Sequence, residues 1–166
     1  MFADEGIGVH LCKLLEKNYK FTHSNHSLDF VDGGTLALQL SYIIAEYDKM
    51  IVLDCIDADD SKIGDVFFFP YDAMPKKINW SGSAHEVEML QTLQYMELMG
   101  DLPHTQILAC VTKRIKPMSF TLSQEIVSAG EIMEKTLLEY LTKEGFSYEK
   151  IANHSLQELA DISYKN

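Results

Sequence analysis

Three side chains in this sequence are of types that do hydrolytic or metal chemistry and stand where a fold could gather them: Glu5, Asp54 and His85. Asp54 closes the apolar run Met50-Ile51-Val52-Leu53, which predicts a strand buried on both faces. Glu5 and His85 each stand at the start of a helical pattern. In a wound α/β sheet, ligands sit beyond the carboxyl ends of the strands. Helix starts collect on that same rim, so a Glu, an Asp and a His distant in sequence can converge there. An imidazole with two carboxylates suits Ni²⁺ or Zn²⁺. A carboxylate at such a rim can also orient or deprotonate a water for hydrolysis. Each residue has a plainer role as well. Asp54 could turn the chain as it leaves the sheet, Glu5 could face the helix dipole, and His85 could simply open a helix. Spacing does not choose between these readings.

Other motifs exclude more than they propose. Gly6-Ile7-Gly8 contains GxG, but Leu11 stands where the third glycine of a dinucleotide fingerprint belongs. His85-Glu86-Val87-Glu88-Met89 lacks the second histidine of a zincin. The acidic loop Asp57 to Ser61 fails as a calcium loop, because Lys62 and Phe68 occupy the positions that need Gly and Glu. Cys55 beside Asp54 offers a rival Cys–His nucleophile with His85, but neighbours on a strand point to opposite faces. Asp32-Gly33-Gly34-Thr35 follows another strand candidate, and its glycines permit positive φ or close approach of another group.

The elements that must position these residues alternate as β-α-β, the pattern of a largely parallel sheet with helical crossovers. Ile7, Leu11, Leu14 and Leu15 make one helical face. Leu28 to Val31 is a strand, Thr35 to Ala45 a helix with Leu36, Leu40, Ile43 and Ile44 inward, and Lys49 to Ile56 a strand. Val66 to Phe69 is the next strand; the link before it is too short for a crossover helix and points to an antiparallel neighbour. A helix from His85 carries Met89, Leu90, Leu93 and Met96 and ends at Gly100. Ile107 to Val111 is the last strand. A basic loop with Lys113, Arg114 and Lys116 follows it, then a capping box at Thr121 and Gln124. A long helix from about Leu122 to Glu144 turns Ile126, Met133, Leu137, Tyr140 and Leu141 inward and closes at Gly145. Residues 1–145 read as one domain and 146–166 as a tail with short helices, one of them over Ser155 to Ile162.

Composition narrows the function. The chain has 166 residues, room for one domain with a real core. A net charge of −11 argues against nucleic-acid binding, which needs a basic face. No apolar run approaches the roughly 20 residues of a membrane span, and the start lacks the pattern of a secretory signal. Cys12, Cys55 and Cys110 form neither a disulfide framework nor a metal pair, so buried thiols in a reducing cytoplasm are expected.

From residue 1 to about residue 143 the sequence resembles the hydrogenase maturation endopeptidases. The resemblance rests on four ordered pieces: Asp4-Glu5-Gly6-Ile7-Gly8 against D-[DE]-x-[IV]-G, Asp32-Gly33-Gly34-Thr35 against DGGT, Ile51-Val52-Leu53-Asp54 against a central strand ending in Asp, and Ser83-Ala84-His85 against S-x-H. It implies a three-layer α/β/α sandwich with a mostly parallel mixed sheet of strand order 2-1-3-5-4, strand 4 being antiparallel. It also implies that Glu5, Asp54 and His85 contact a nickel ion already placed in the large-subunit precursor of a [NiFe] hydrogenase, with no tightly held metal in the free protein. The enzyme would then remove the precursor's C-terminal peptide, Asp54 or Glu5 serving the water and Gly33, Gly34 and Thr35 receiving the substrate tail. No nucleic acid and no membrane insertion are implied.

The chain departs from that pattern in three places. Family members begin with a strand and a Gly-Asn turn before the acidic segment, whereas Met1 falls where that turn should be over, so the first strand is expected to be missing and Met1 to be internal to a longer protein. The loop after the last strand is basic where the family commonly has an acid. The tail past Gly145 matches no family motif. A non-catalytic chaperone or interaction module of the same fold, or a nucleotide-binding α/β domain, stands as the alternative.

Overall fold

The run that ends in Asp54 extends further than predicted, forming β2 from Lys49–Ala58. The computed structural model describes residues 3–33, 40–74, 78–79, 84–112 and 121–163. In chain order these carry a 3₁₀ turn (Ala3–Gly6), α1 (Ile7–Asn18), β1 (Tyr19–Thr22), α2 (Ser41–Ile44), β2, β3 (Val66–Pro70), a second 3₁₀ turn (Tyr71–Ala73), β4 (Ile78–Asn79), α3 (Ala84–Met99), β5 (His104–Val111), α4 (Gln124–Lys143), β6 (Ser147–Lys150) and α5 (Leu156–Ser163).

The main sheet runs β3-β5-β2-β4. β2 and β5 are parallel, with Asp54 opposite Ala109 and Cys55 opposite Cys110. β3 is antiparallel to β5, as the short link before it required. Strict alternation divides the two faces. Leu108, Cys110 and Cys55 join Ile7, Leu11, Leu15, Ile126, Met133 and Leu137 in the layer of α1 and α4. Val52, Ile56, Ile107 and Ala109 meet Leu93 of α3 on the other side. This is the expected three-layer α/β/α arrangement, and the sequence's 3-5-4 strand order is the observed β2-β5-β3 order.

Several expectations needed correction. Leu28 to Val31 forms no strand. Its in-out alternation is real, since Leu28 and Phe30 pack on the α1 core while Asp29 and Val31 face outward. No described strand pairs with it, however, and alternation without a ladder partner leaves extended chain. β2 is not buried on both faces throughout: Met50, Ile51 and Leu53 are half-buried. Its outer edge pairs, among the described residues, only with β4, at Asp57 and Ala58. Upstream of that ladder the first turn of α1 presses against β2 instead. Of the helix predicted over Thr35 to Ala45, one turn is present at Ser41–Ile44, and residues 34–39 lie outside the described residues. α4 is capped by Ser123, whose Oγ accepts from the Ile126 N–H, and not by a box at Thr121. Gly100 and Gly145 end α3 and α4 with φ of +79° and +95°, the conformation in which glycine avoids the Cβ penalty.

The tail packs into the same core. β6 pairs antiparallel with β1, and Tyr148 packs edge-on against Tyr19. Leu156, Leu159 and Ala160 of α5 are buried among α1 and α4 residues. The buried Asn18 side chain clamps the junction, donating to the His154 carbonyl at 2.9 Å and accepting from its N–H at 2.8 Å.

Candidate active site

Asp54 stands just past the middle of β2. Alternation from Val52 and Ile56 puts it on the face that α3 covers. Its Oδ1 accepts the N–H of Cys55 at 2.8 Å, so the carboxylate is oriented by its own backbone. Cys55 turns the other way, into the layer of α1 and α4, and is 4 % exposed. That opposes the Cys–His nucleophile reading, because a sealed thiol on the far face cannot attack a substrate at Asp54.

Glu5 lies half-buried in the 3₁₀ turn that leads into α1. Its distance from β2 is set by Gly8, one turn on. A Cβ on Gly8 would fall 2.1 Å from the Leu53 carbonyl oxygen and 3.3 Å from Cα of Asp54. Only a residue without a side chain lets α1 begin this close to the strand. The turn is held from its other side by Asp4, whose Oδ1 accepts the N–H of Ser123 at the start of α4. Cys110 on β5 senses two carboxylates of this region, Asp4 and Asp54. Burial, then the Asp4 and Asp54 carboxylates, push its thiol up to about 12, so it stays a neutral packing group.

His85 belongs to the first turn of α3, and its side chain lies outside the described residues. The backbone still places that turn. α3 ends at Met99, shortly before His104, which pairs with Lys49 at the amino end of the sheet. A helix of 16 residues spans about 24 Å, roughly the rise of seven strand residues. Its first turn therefore stands about level with Asp54 to Ile56, on Asp54's face. The packing of α1 on β2 brings the turn bearing Glu5 to the strand bearing Asp54, and the helix bearing His85 starts at the same end of the sheet. Among the described residues, which do not include the His85 side chain, no three His, Cys, Asp or Glu side chains group as a metal site.

Of the three substrate-side residues, Gly34 and Thr35 lie outside the described residues. Gly33 does not adopt positive φ, and among the described residues a Cβ there would meet only Leu40 Cδ1, at 3.4 Å. Positive φ, one of the two uses foreseen for Gly33, is thus absent. The basic loop at Lys113, Arg114 and Lys116 also falls outside the described residues. Cys12, expected to be buried, is half-buried, with its thiol raised to about 11 by burial and then by Glu16 and Asp32.

Sequence reasoning passed over His10, although it falls on α1's inward stripe three residues after Ile7. Its ring is 7 % exposed, and its Nδ1 has no hydrogen-bond partner among the described residues. Burial first and the Lys13 ammonium next hold its pKa below 6.5, while the Asp32 carboxylate pulls it back up. A folded-state pKa below the unfolded value keeps the ring neutral while the unfolded chain takes up a proton. The stability this histidine contributes is whole above pH 6.5 and is lost as pH falls below it. Melting curves should therefore show a steeper fall in Tm from about pH 7 to about pH 5.5 for the wild type than for His10→Leu. Parallel falls would mean that the imidazole titrates freely.

Comparison with known proteins agrees with this architecture. A family profile described as HycI, hydrogenase maturation protease, matches residues 9–140. Protein HydD of Wolinella succinogenes is 45% identical over 158 residues, 95% of this chain and 99% of that protein. In fold, the chain is similar to the hydrogenase maturating endopeptidase HybD from E. coli, with a TM-score of 0.73 at 19% identity over 90% of this chain and 91% of that one. It is also similar to an endopeptidase from Escherichia coli solved in solution, with a TM-score of 0.77 at 19% identity over 93% of each chain. Among the described residues no helix is long and apolar enough to cross a membrane. The chain belongs to the hydrogenase maturation protease family and is a peptidase of that kind.

Proposed function

We propose that this protein recognises nickel in the large-subunit precursor of a [NiFe] hydrogenase and cuts off the precursor's C-terminal peptide, with Glu5, Asp54 and His85 meeting the ion. The observation that supports this most is the seating of Glu5's turn on β2 beside Leu53 and Asp54, permitted by the absence of a side chain at Gly8. Two carboxylates and an imidazole make an open, incomplete ligand set. Such a set binds a free ion less tightly than a closed cage, which suits reading an ion held mainly by a partner.

Hydrolysis then follows a carboxylate route. Asp54, fixed by the Cys55 N–H, takes a proton from a water as the water's oxygen adds to the scissile carbonyl, and the proton passes to the leaving amine as the C–N bond breaks. Glu5 contacts the ion and holds the peptide against Asp54. This reading makes the enzyme an aspartic-type endopeptidase of the cytoplasm, where its three free thiols would persist.

The test is to mix the protein with nickel-loaded and nickel-free precursor and follow the precursor's mass. The expected result is loss of a C-terminal peptide from the loaded form alone. Cleavage of both forms at one rate would remove nickel from the reading, and cleavage of neither would remove the proteolysis.

A further inference from the structure

A groove of about 480 Å³ lies between α2 and α3, lined by Ser41, Glu88, Gln91, Thr92 and Tyr95. Each wall lies a short step along the chain from a residue assigned above to the site. Glu88 is three residues after His85, so it lies on the same side of α3 one turn on, and Thr92 and Tyr95 continue that side. On the opposite wall Leu40 abuts Gly33, and Ser41, the next residue, lines the groove. The groove therefore runs along α3 beside the end of the helix that bears His85.

Its chemistry is that of a peptide channel with one charge. Ser41, Gln91 and the exposed Tyr95 offer hydrogen bonds to backbone amides, while Thr92, itself buried, donates to the Glu88 carbonyl and forms the floor. Among the described residues of the lining, Glu88 is the single charged group. Its carboxylate would repel an acidic side chain laid beside it and draw a basic one, and the chain's net charge of −11 adds to that bias at long range. We propose that this groove holds the extended stretch of precursor flanking the cut bond, and that Glu88 selects a basic side chain there. This rests on the protease reading and adds to it a specificity-determining residue with no role in the chemical step.

The experiment reads binding and cleavage separately. Affinity for labelled nickel-loaded precursor is measured by anisotropy, and processing by mass, for wild type, Glu88→Gln and Glu88→Lys. The precursor is used as it is and with each basic residue within about ten positions of the cut changed singly to Glu, a span of roughly 33 Å when extended. Glu88→Lys should weaken binding and raise KM at least tenfold with kcat within about twofold, and Glu88→Gln should fall between, because a lost charge pair costs binding and not chemistry. One precursor variant should bind wild type poorly and regain affinity with Glu88→Lys. Unchanged affinity for both Glu88 variants, or no precursor variant rescued by Glu88→Lys, overturns the assignment. Both results are read from binding, whether or not the wild type cuts, whereas failure of the wild type to cut speaks against the protease reading.

Discussion

Asp54→Asn should leave the protein folded and slow precursor processing by roughly 10²- to 10⁴-fold, the range over which a positioned acid–base group contributes. The substitution separates two things the carboxylate does. Asn retains a carbonyl oxygen where Oδ1 accepts the Cys55 N–H at 2.8 Å, so the local backbone keeps its partner. It cannot take a proton from water, nor bring negative charge to a cation. Asp54→Ala also removes the acceptor and should lower Tm a little further while losing no more activity. Glu5→Gln should raise KM for nickel-loaded precursor more than it lowers kcat, because in the proposed arrangement Glu5 holds the ion and does not handle the proton. The check is initial rates of peptide release at several precursor concentrations, alongside melting curves. Wild-type rates from Asp54→Ala would take this residue out of the mechanism and leave its contact with Cys55 as a purely structural one.

What could be read from the sequence was whatever is encoded locally. The run before Asp54 declared a strand, and alternation along it correctly turned Cys55 away from Asp54's face. The apolar stripes of α1, α3 and α4 and the glycines that end α3 and α4 were equally plain, since each is a periodicity or a single φ requirement. What was not legible depends on partners far along the chain. Leu28 to Val31 alternates like a strand, but whether it becomes one is decided by what lies beside it. β6 is exposed at all four positions and has no hydrophobic pattern, and it forms because β1 presents a matching edge, ordered by Tyr19, Phe21 and Tyr148. Asp4 reads as a helix-start acid, yet its carboxylate serves Ser123, 119 residues away, and so ties the turn bearing Glu5 to α4. At the site the spacing of Glu5, Asp54 and His85 said nothing of distance. What brings the turn bearing Glu5 to Asp54's strand is the contact between α1 and β2.

That contact gives the second large effect, and its sign is diagnostic. In an ordinary helix Gly→Ala is stabilising by about 0.8–1.0 kcal/mol. At Gly8 it should destabilise. The added methyl would sit 2.1 Å from the Leu53 oxygen and 2.8 Å from its carbonyl carbon, and both are backbone, so no side chain can swing aside. α1 must retreat from β2, taking Ile7 and Leu11 partly out of the core. Overpacking of this kind costs about 1–3 kcal/mol, and a backbone obstacle places Gly8→Ala toward the upper end. At about 2–4 °C per kcal/mol for a chain of this size, Tm should fall by roughly 6–12 °C. Activity should fall further than stability explains, because the same retreat carries Glu5 away from Asp54, and a misplacement of about 1 Å can cost on the order of 10²-fold. Gly100→Ala serves as the comparison: its φ of +79° imposes strain, but nothing lies within 4 Å of the new methyl. It should lower Tm by a few degrees and leave processing untouched. Differential scanning calorimetry with precursor cleavage at a temperature where all three proteins are folded distinguishes the cases. A Gly8→Ala protein that melts higher than wild type and cuts normally would mean that α1 and β2 stand further apart than this, and the seating of Glu5 against Asp54 would go with it.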